Sequence, residues 1–197
     1  MRADADDRRG AGCESVALSG SASSRVTIPL VHETSDDIRD LQDLLDRSYD
    51  AGGEHLRRII TPERRVPAAE LVERLSGMRL LVLATATADG RPIAGPVDGI
   101  FYRAAFHFGS APDSVRFRHI SVRPQVSATH LPGEELAVTV HGRAVQVDVQ
   151  APEGAELRQA LLDIYVPRYG PEWETSFLDS GPMFARIDAE RMFTYSA

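Results

Sequence analysis

The sequence predicts an α+β protein dominated by β-structure: a six-stranded antiparallel barrel with peripheral helices. Three observations carry this. Six segments of strand character follow one another between residues 80 and 195. Most are joined by short connections, with one short helix between the third and the fourth, which is the pattern of a small antiparallel barrel. No alternating strand–helix series runs along the chain, which argues against a doubly wound parallel sheet.

The elements follow in order. Residues 1 to 25, rich in Ala, Ser, Gly, Asp and Arg, are expected to be a disordered tail. Residues 26–77 are expected to be a helical segment packed on the barrel, and residues 78–197 the barrel itself. Thr34 or Ser35 can cap a first helix, with Asp36 and Asp37 in its first turn. Ile38, Leu41, Leu44, Leu45 and Tyr49 recur at three- and four-residue spacing before Gly52-Gly53 ends it. A shorter helix begins near Pro67, buries Leu71, Val72 and Leu75, and stops at Gly77.

Leu80 to Thr87 is the first strand, and Asp89-Gly90 turns the chain. Pro92 to Tyr102 returns; Pro96 and Gly99 mark a bulge or an edge position there. Ala104 to Ser110 alternates as the third strand, and Ser114 to Val122 reads as the inserted helix. Gln125 to Leu131 is the fourth strand, with a turn at Pro132-Gly133. Glu135 to Val149 is a long fifth strand that Gly142 can bend. A helix from Pro152 buries Leu157, Leu161, Leu162 and Tyr165. Phe184 to Tyr195 is the last strand.

Composition narrows function by exclusion. The 197-residue chain carries net charge −7, against the basic face of a nucleic-acid binder. All its basic residues other than histidine are arginines, so a phosphate site here must use the planar guanidinium fork. The single cysteine, Cys13, allows no disulfide framework and no Cys-based metal site, and suits a cytoplasmic protein. No apolar run approaches the length of a membrane span. There is no Gly-rich dinucleotide motif, Walker loop, nucleophile elbow or His-Glu-x-x-His pair. The six histidines do not fall at metal-ligand spacing.

One constellation carries chemistry, Gly109 to His119 (GSAPDSVRFRH). A strand ends at Gly109-Ser110, and small residues lead into a helix opening near Ser114. Backbone amides at such a start attract anions. Ser110 and Ser114 lie beside it, Arg116 falls in the first turn, and Arg118 and His119 follow. An arginine there opposes the helix dipole, which makes better sense with a phosphate present. The alternative is a solvated basic helix face.

From Met78 to Val147 the chain resembles the flavin- and deazaflavin-dependent oxidoreductases of the pyridoxamine 5′-phosphate oxidase-like superfamily, whose fold is the FMN-binding split barrel. The resemblance rests on Leu81–Pro92 (LVLATATADGRP), Gly95-Pro96-Val97-Asp98, Phe108-Gly109-Ser110, Ser114-Val115-Arg116, Arg123-Pro124-Gln125-Val126-Ser127 and Gly142-Arg143-Ala144, and on the last strand, FARIDAERMFTYS. Three positions depart from the pattern: Val115 for an arginine, Arg116 for a lysine, and Asp98 for a bulky aromatic.

The resemblance implies a homodimer with the cofactor at the shared interface, a small-molecule substrate, and redox chemistry borne by the cofactor, with no catalytic side chain required. It implies FMN, its phosphate held by Ser110, Ser114 and Arg116 with Arg91 and Arg118, and its ring along Gly95 to Asp98. Deazaflavin F-420 is an alternative, for which Arg116, Arg118, Arg123 and Arg143 would supply a longer basic groove. A non-catalytic flavin binder, or a haem protein using His107 or His119, are the others. The segment Tyr165–Phe177 can wall a substrate pocket through Arg168, Tyr169 and Trp173, or simply pack against the barrel.

Overall fold

The computed structural model describes residues 32–197; the tail expected over residues 1–25 lies outside them. The chain opens with α1 (Ser35–Asp50), whose N-terminus is fixed by a reciprocal cap. Thr34 Oγ1 accepts from the Asp37 amide at 3.2 Å, and the Thr34 amide donates to the Asp37 carboxylate at 2.8 Å, so Thr34 rather than Ser35 is the cap. Two further helices follow, α2 (Glu54–Ile59) and α3 (Ala68–Arg74). No sequence signal announces α2. It has no side-chain cap and buries no residue, so neither a start signal nor an apolar stripe marks it.

Six antiparallel strands then form a closed barrel: β1 (Met78–Ala86), β2 (Pro92–Tyr102), β3 (Ala105–Ser110), β4 (Gln125–Gly133), β5 (Leu136–Val147) and β6 (Met183–Tyr195), in the order β1-β2-β3-β6-β5-β4. Between β3 and β4 lies α4 (Val115–Ile120); α5 (Ala155–Tyr169) and α6 (Trp173–Ser176) precede β6. Period-two alternation makes β1 a barrel wall. Leu81 and Leu83 point inward and are buried, while Leu80 and Val82 point out and remain 59% and 53% exposed.

The ring is unevenly joined. β5 and β6 pair along their whole length, from Ala137–Tyr195 to Val147–Phe184. The β1–β4 ladder has only the pairs Val82–Thr129, Leu83–Ala128 and Ala84–Ser127. β2 pairs with β1 without interruption but with β3 only from Gly99 to Tyr102. Its first half is therefore an edge and not a bulge, and an edge is where Pro96 is tolerated. At Gly142 the β5–β6 register shifts, and a Cβ there would collide with the Asp188 carbonyl.

One expected turn is displaced. β4 runs through Pro132 to Gly133, and the chain reverses at Glu134-Glu135 instead. The β4–β5 register slips between His130 and Gly133. That irregularity removes the ladder position whose N–H Pro132 lacks.

Two cores hold the helices. Leu41, Leu44, Leu45 and Tyr49 of α1 pack with the barrel interior, which includes Phe106, Phe108, Val138, Ile187 and Met192. Along this seam β6 has no strand beyond β5, and α1 side chains replace one. The Met192 amide donates to Ser48 Oγ at 3.0 Å, and the Thr194 amide to the Tyr49 hydroxyl at 2.9 Å. Thr194 Oγ1 in turn accepts from the Val66 amide at 2.9 Å. On another side of the barrel, Leu157, Leu161 and Tyr165 of α5 pack with Ile100, Tyr102 and Phe184.

Candidate functional site

The C-terminal half of α5 and the turn-rich stretch through α6 stand off from β2 and the end of β3. Between them is a cavity of about 840 Å³, within the range of small-molecule sites. Leu80, Pro96, Val97 and Asp98 line one side, Gly109, Ser110 and Ala111 the end of β3, and Tyr165, Tyr169, Glu172, Trp173 and Phe177 the other side, with Arg116 and Phe184 completing it.

Local rules place Arg116 here. β3 stops at Ser110; Ser114 then caps α4, its hydroxyl accepting from the Phe117 amide at 3.3 Å. The first helical turn brings Arg116 back over β2. There its Nη2 donates to the Pro96 carbonyl at 2.8 Å and its Nη1 to Ser110 Oγ at 3.4 Å. β3 does not cover β2 at Pro96, so the arginine reaches the strand at its open edge. Burial pulls the guanidinium pKa down, the mark of a cation short of solvation. A second cavity of about 230 Å³ adjoins it, lined by Arg116 together with Thr85, Gly95, Ser114 and Val115.

The structure thus brings Pro96, Val97, Asp98, Ser110, Arg116, Tyr169 and Trp173 to one cavity, with Gly95 and Ser114 in its neighbour. Four other residues singled out from the sequence line neither. Arg91 is exposed and pairs with Asp89 at 2.8 Å. Arg118 turns back onto the Asp113 carbonyl. His119 Nδ1 bonds Thr85 Oγ1 at 2.9 Å. Arg168 lies 5.5 Å from the centre of the Tyr169 ring. Leu80, Glu172, Ser176 and Phe184 line the larger cavity without having been singled out as site residues. Leu80 could have been found from its outward phase in β1; nothing in the sequence marks Phe184.

The aromatic side is a block of near-parallel rings. Tyr165 and Trp173 stack at 4.7 Å with 7° between planes, and Tyr165 and Tyr169 at 6.0 Å and 13°. Tyr165 is buried, which raises its phenol pKa, and the Asp98 charge adds to the effect.

A separate polar cavity of about 370 Å³ lies by the start of α5, lined by Tyr102, Arg103, His107, Glu153, Glu156 and Arg186 among others. His107 Nδ1 faces the Ala105 carbonyl at 3.1 Å and so carries the proton. Burial pushes this imidazole down to about 4. The β2–β3 turn beside it, Arg103-Ala104, is left-handed at both residues, φ 50° and 60°, without a glycine. Such a turn is strained, and Arg103 is held there by Asp37 at 2.8 Å. Among the described residues no cluster of His, Cys, Asp and Glu could hold a metal ion, and no helix is long and apolar enough to cross a membrane.

Comparison with known proteins decides the family. The pyridoxamine 5′-phosphate oxidase family model matches residues 68–195, well over half of the chain. The chain belongs to this family. Its barrel is the split barrel of the pyridoxamine 5′-phosphate oxidase family. A conserved hypothetical protein from Mycobacterium tuberculosis matches with TM-score 0.50 at 20% identity, over 60% of this chain and 77% of that one. The haem storage protein HutZ from Vibrio cholerae matches with TM-score 0.49 at 19% identity, over 59% and 86%. An FAD-binding protein from Mesorhizobium loti matches with TM-score 0.45 at 20% identity, over 59% and 82%. No curated protein matches this member of the family.

Proposed function

We propose that the chain is an FMN-dependent oxidoreductase acting on a small molecule as a homodimer. One observation carries the cofactor assignment: Arg116. Its guanidinium is partly buried, is fixed by the Pro96 carbonyl and Ser110, lines both adjoining cavities, and has no carboxylate partner among the described residues. A desolvated arginine without a counter-charge fits a phosphate oxygen. Gly95 keeps the approach open, since a Cβ there would meet only Arg116 Nη2, at 3.9 Å. Arg116, Ser110 and Ser114 would hold the phosphate, and the edge of β2 from Gly95 to Asp98 would lie along the ring.

Bound there, the flavin supplies the electron transfer; the chain binds, orients and excludes water. The aromatic block keeps one side of the cavity apolar. Leu80 and Val82 offer outward apolar surface beside the cavity, suited to a second copy related by a two-fold axis. Among the described residues Arg116 is the one arginine lining the larger cavity, and Arg118, Arg123 and Arg143 do not line it, which supports FMN over the deazaflavin F-420.

Arg116→Ala tests the reading. Truncating one partner of a desolvated charge pair costs about 2–5 kcal/mol, so FMN affinity should fall roughly thirtyfold or more. The control is Arg39→Ala, an exposed residue of α1. FMN and the deazaflavin are titrated into the parent and both variants by fluorescence, and sedimentation of the FMN complex reads the oligomer. FMN binding unchanged by Arg116→Ala overturns the phosphate assignment. Tighter binding of the deazaflavin overturns the choice of FMN, and a monomer overturns the dimer.

A further inference from the structure

We propose that the aromatic end of the larger cavity takes a planar, uncharged ligand presenting a hydrogen-bond donor and an acceptor side by side, an amide or lactam edge, bound between Tyr165 and Asp98. The proposal rests on reading the Arg116 end as the cofactor's and the aromatic end as the substrate's.

Tyr165 is the first ground. The residue is only 6% exposed, lines the cavity, and its hydroxyl has no hydrogen bond among the described residues. The ring is buried but the hydroxyl opens onto the cavity, where water or a ligand can meet it. The stacked Tyr169 and Trp173 rings fix its plane, so the hydroxyl cannot swing elsewhere to find a partner. With its pKa raised by burial, it stays protonated and offers a donor to whatever enters.

Asp98 is the second. It lines the same cavity from the exposed edge of β2 and has no ion-pair partner among the described residues. A carboxylate only accepts. A ligand that answers both groups therefore carries one acceptor for Tyr165 and one donor for Asp98. An anion offers acceptors alone and meets the charges of Asp98 and Glu172. A cation offers donors alone and shares the cavity with Arg116. An amide edge supplies one of each. A site whose polar groups are left unpaired by the wrong ligand discriminates strongly against it.

Trp173 makes the test direct. It is the only tryptophan in the chain and stacks on Tyr165, so its emission reports occupancy with or without flavin. Benzamide, benzamidine and benzoate share one shape and differ in charge and in donors and acceptors. Each is titrated into the full-length protein, with and without FMN. Benzamide should bind at least tenfold tighter than the other two. Tyr165→Phe and Asp98→Ala should each weaken it about tenfold, and Tyr165→Phe, outside the cofactor contacts, should leave FMN affinity in place. Preference for benzamidine overturns the proposal in favour of a cation site, and preference for benzoate in favour of an anion site. No benzamide response, or one that both variants retain, overturns it outright. Benzamide binding without FMN binding sinks the cofactor reading alone; FMN binding without benzamide binding sinks only this one.

Discussion

Tyr49 and Tyr165 are buried to nearly the same depth, 3% and 6% exposed, yet their hydroxyls are treated in opposite ways. The Tyr49 hydroxyl lies 2.7 Å from Thr194 Oγ1 and accepts from the Thr194 amide at 2.9 Å. That of Tyr165 has no partner among the described residues. The seam between α1 and β6 is finished by the chain itself. The wall of the cavity is left open for something else to finish. Tyr49 is satisfied within the chain, whereas the Tyr165 hydroxyl opens onto the cavity, where water or a ligand can meet it.

A third buried group stands between the two. His107 is bonded through Nδ1 only, and it lines a cavity of its own. Its folded pKa is about 4 against the ordinary 6.5. Between those values the unfolded chain holds the extra proton, so stability is complete above pH 6.5 and is lost as pH falls toward 4. The loss should reach about 3 kcal/mol. Burial depresses His130 as well, in the same direction. Urea denaturation at stepped pH reads the slope, and His107→Gln should remove most of it. An unchanged slope would show that His107 is solvated and already finds water for its second nitrogen.

The tyrosine comparison sharpens with one substitution made twice. Tyr49→Phe strands the buried Thr194 amide, which should cost about 2 kcal/mol and leave Trp173 emission unaltered. Tyr165→Phe strands nothing, so its cost should be no more than about 0.5 kcal/mol. Equal losses at the two sites in denaturant titrations would erase the distinction between finished seam and open wall.

How far each part could be read from residue order follows from the range of the forces involved. Strand alternation in β1, the Asp89-Gly90 turn and the α1 stripe are local, and each can be read within a dozen residues. The helix α2 could not, because it has neither cap nor buried face. The Arg103-Ala104 turn could not, because no glycine announces its left-handed backbone; Asp37, far off in sequence, helps to hold it. Pro132-Gly133 misleads for the converse reason, since a slipped register lets a proline stay inside a strand. The cavity divides the same way. Ser110, Ser114 and Arg116 cluster in one short segment. Leu80, Glu172 and Phe184 meet it only because the barrel closes and α5 folds back across it.

The short joint between β1 and β4 has a consequence for association. Next to it stand Leu80 and Val82, turned outward and more than half exposed. A partner that buries these side chains braces the shortest ladder of the ring at the same time. By mass action, binding confined to the closed ring raises the apparent stability of that ring. In the proposed homodimer, dilution would then loosen this clasp before it touched the long β5–β6 ladder.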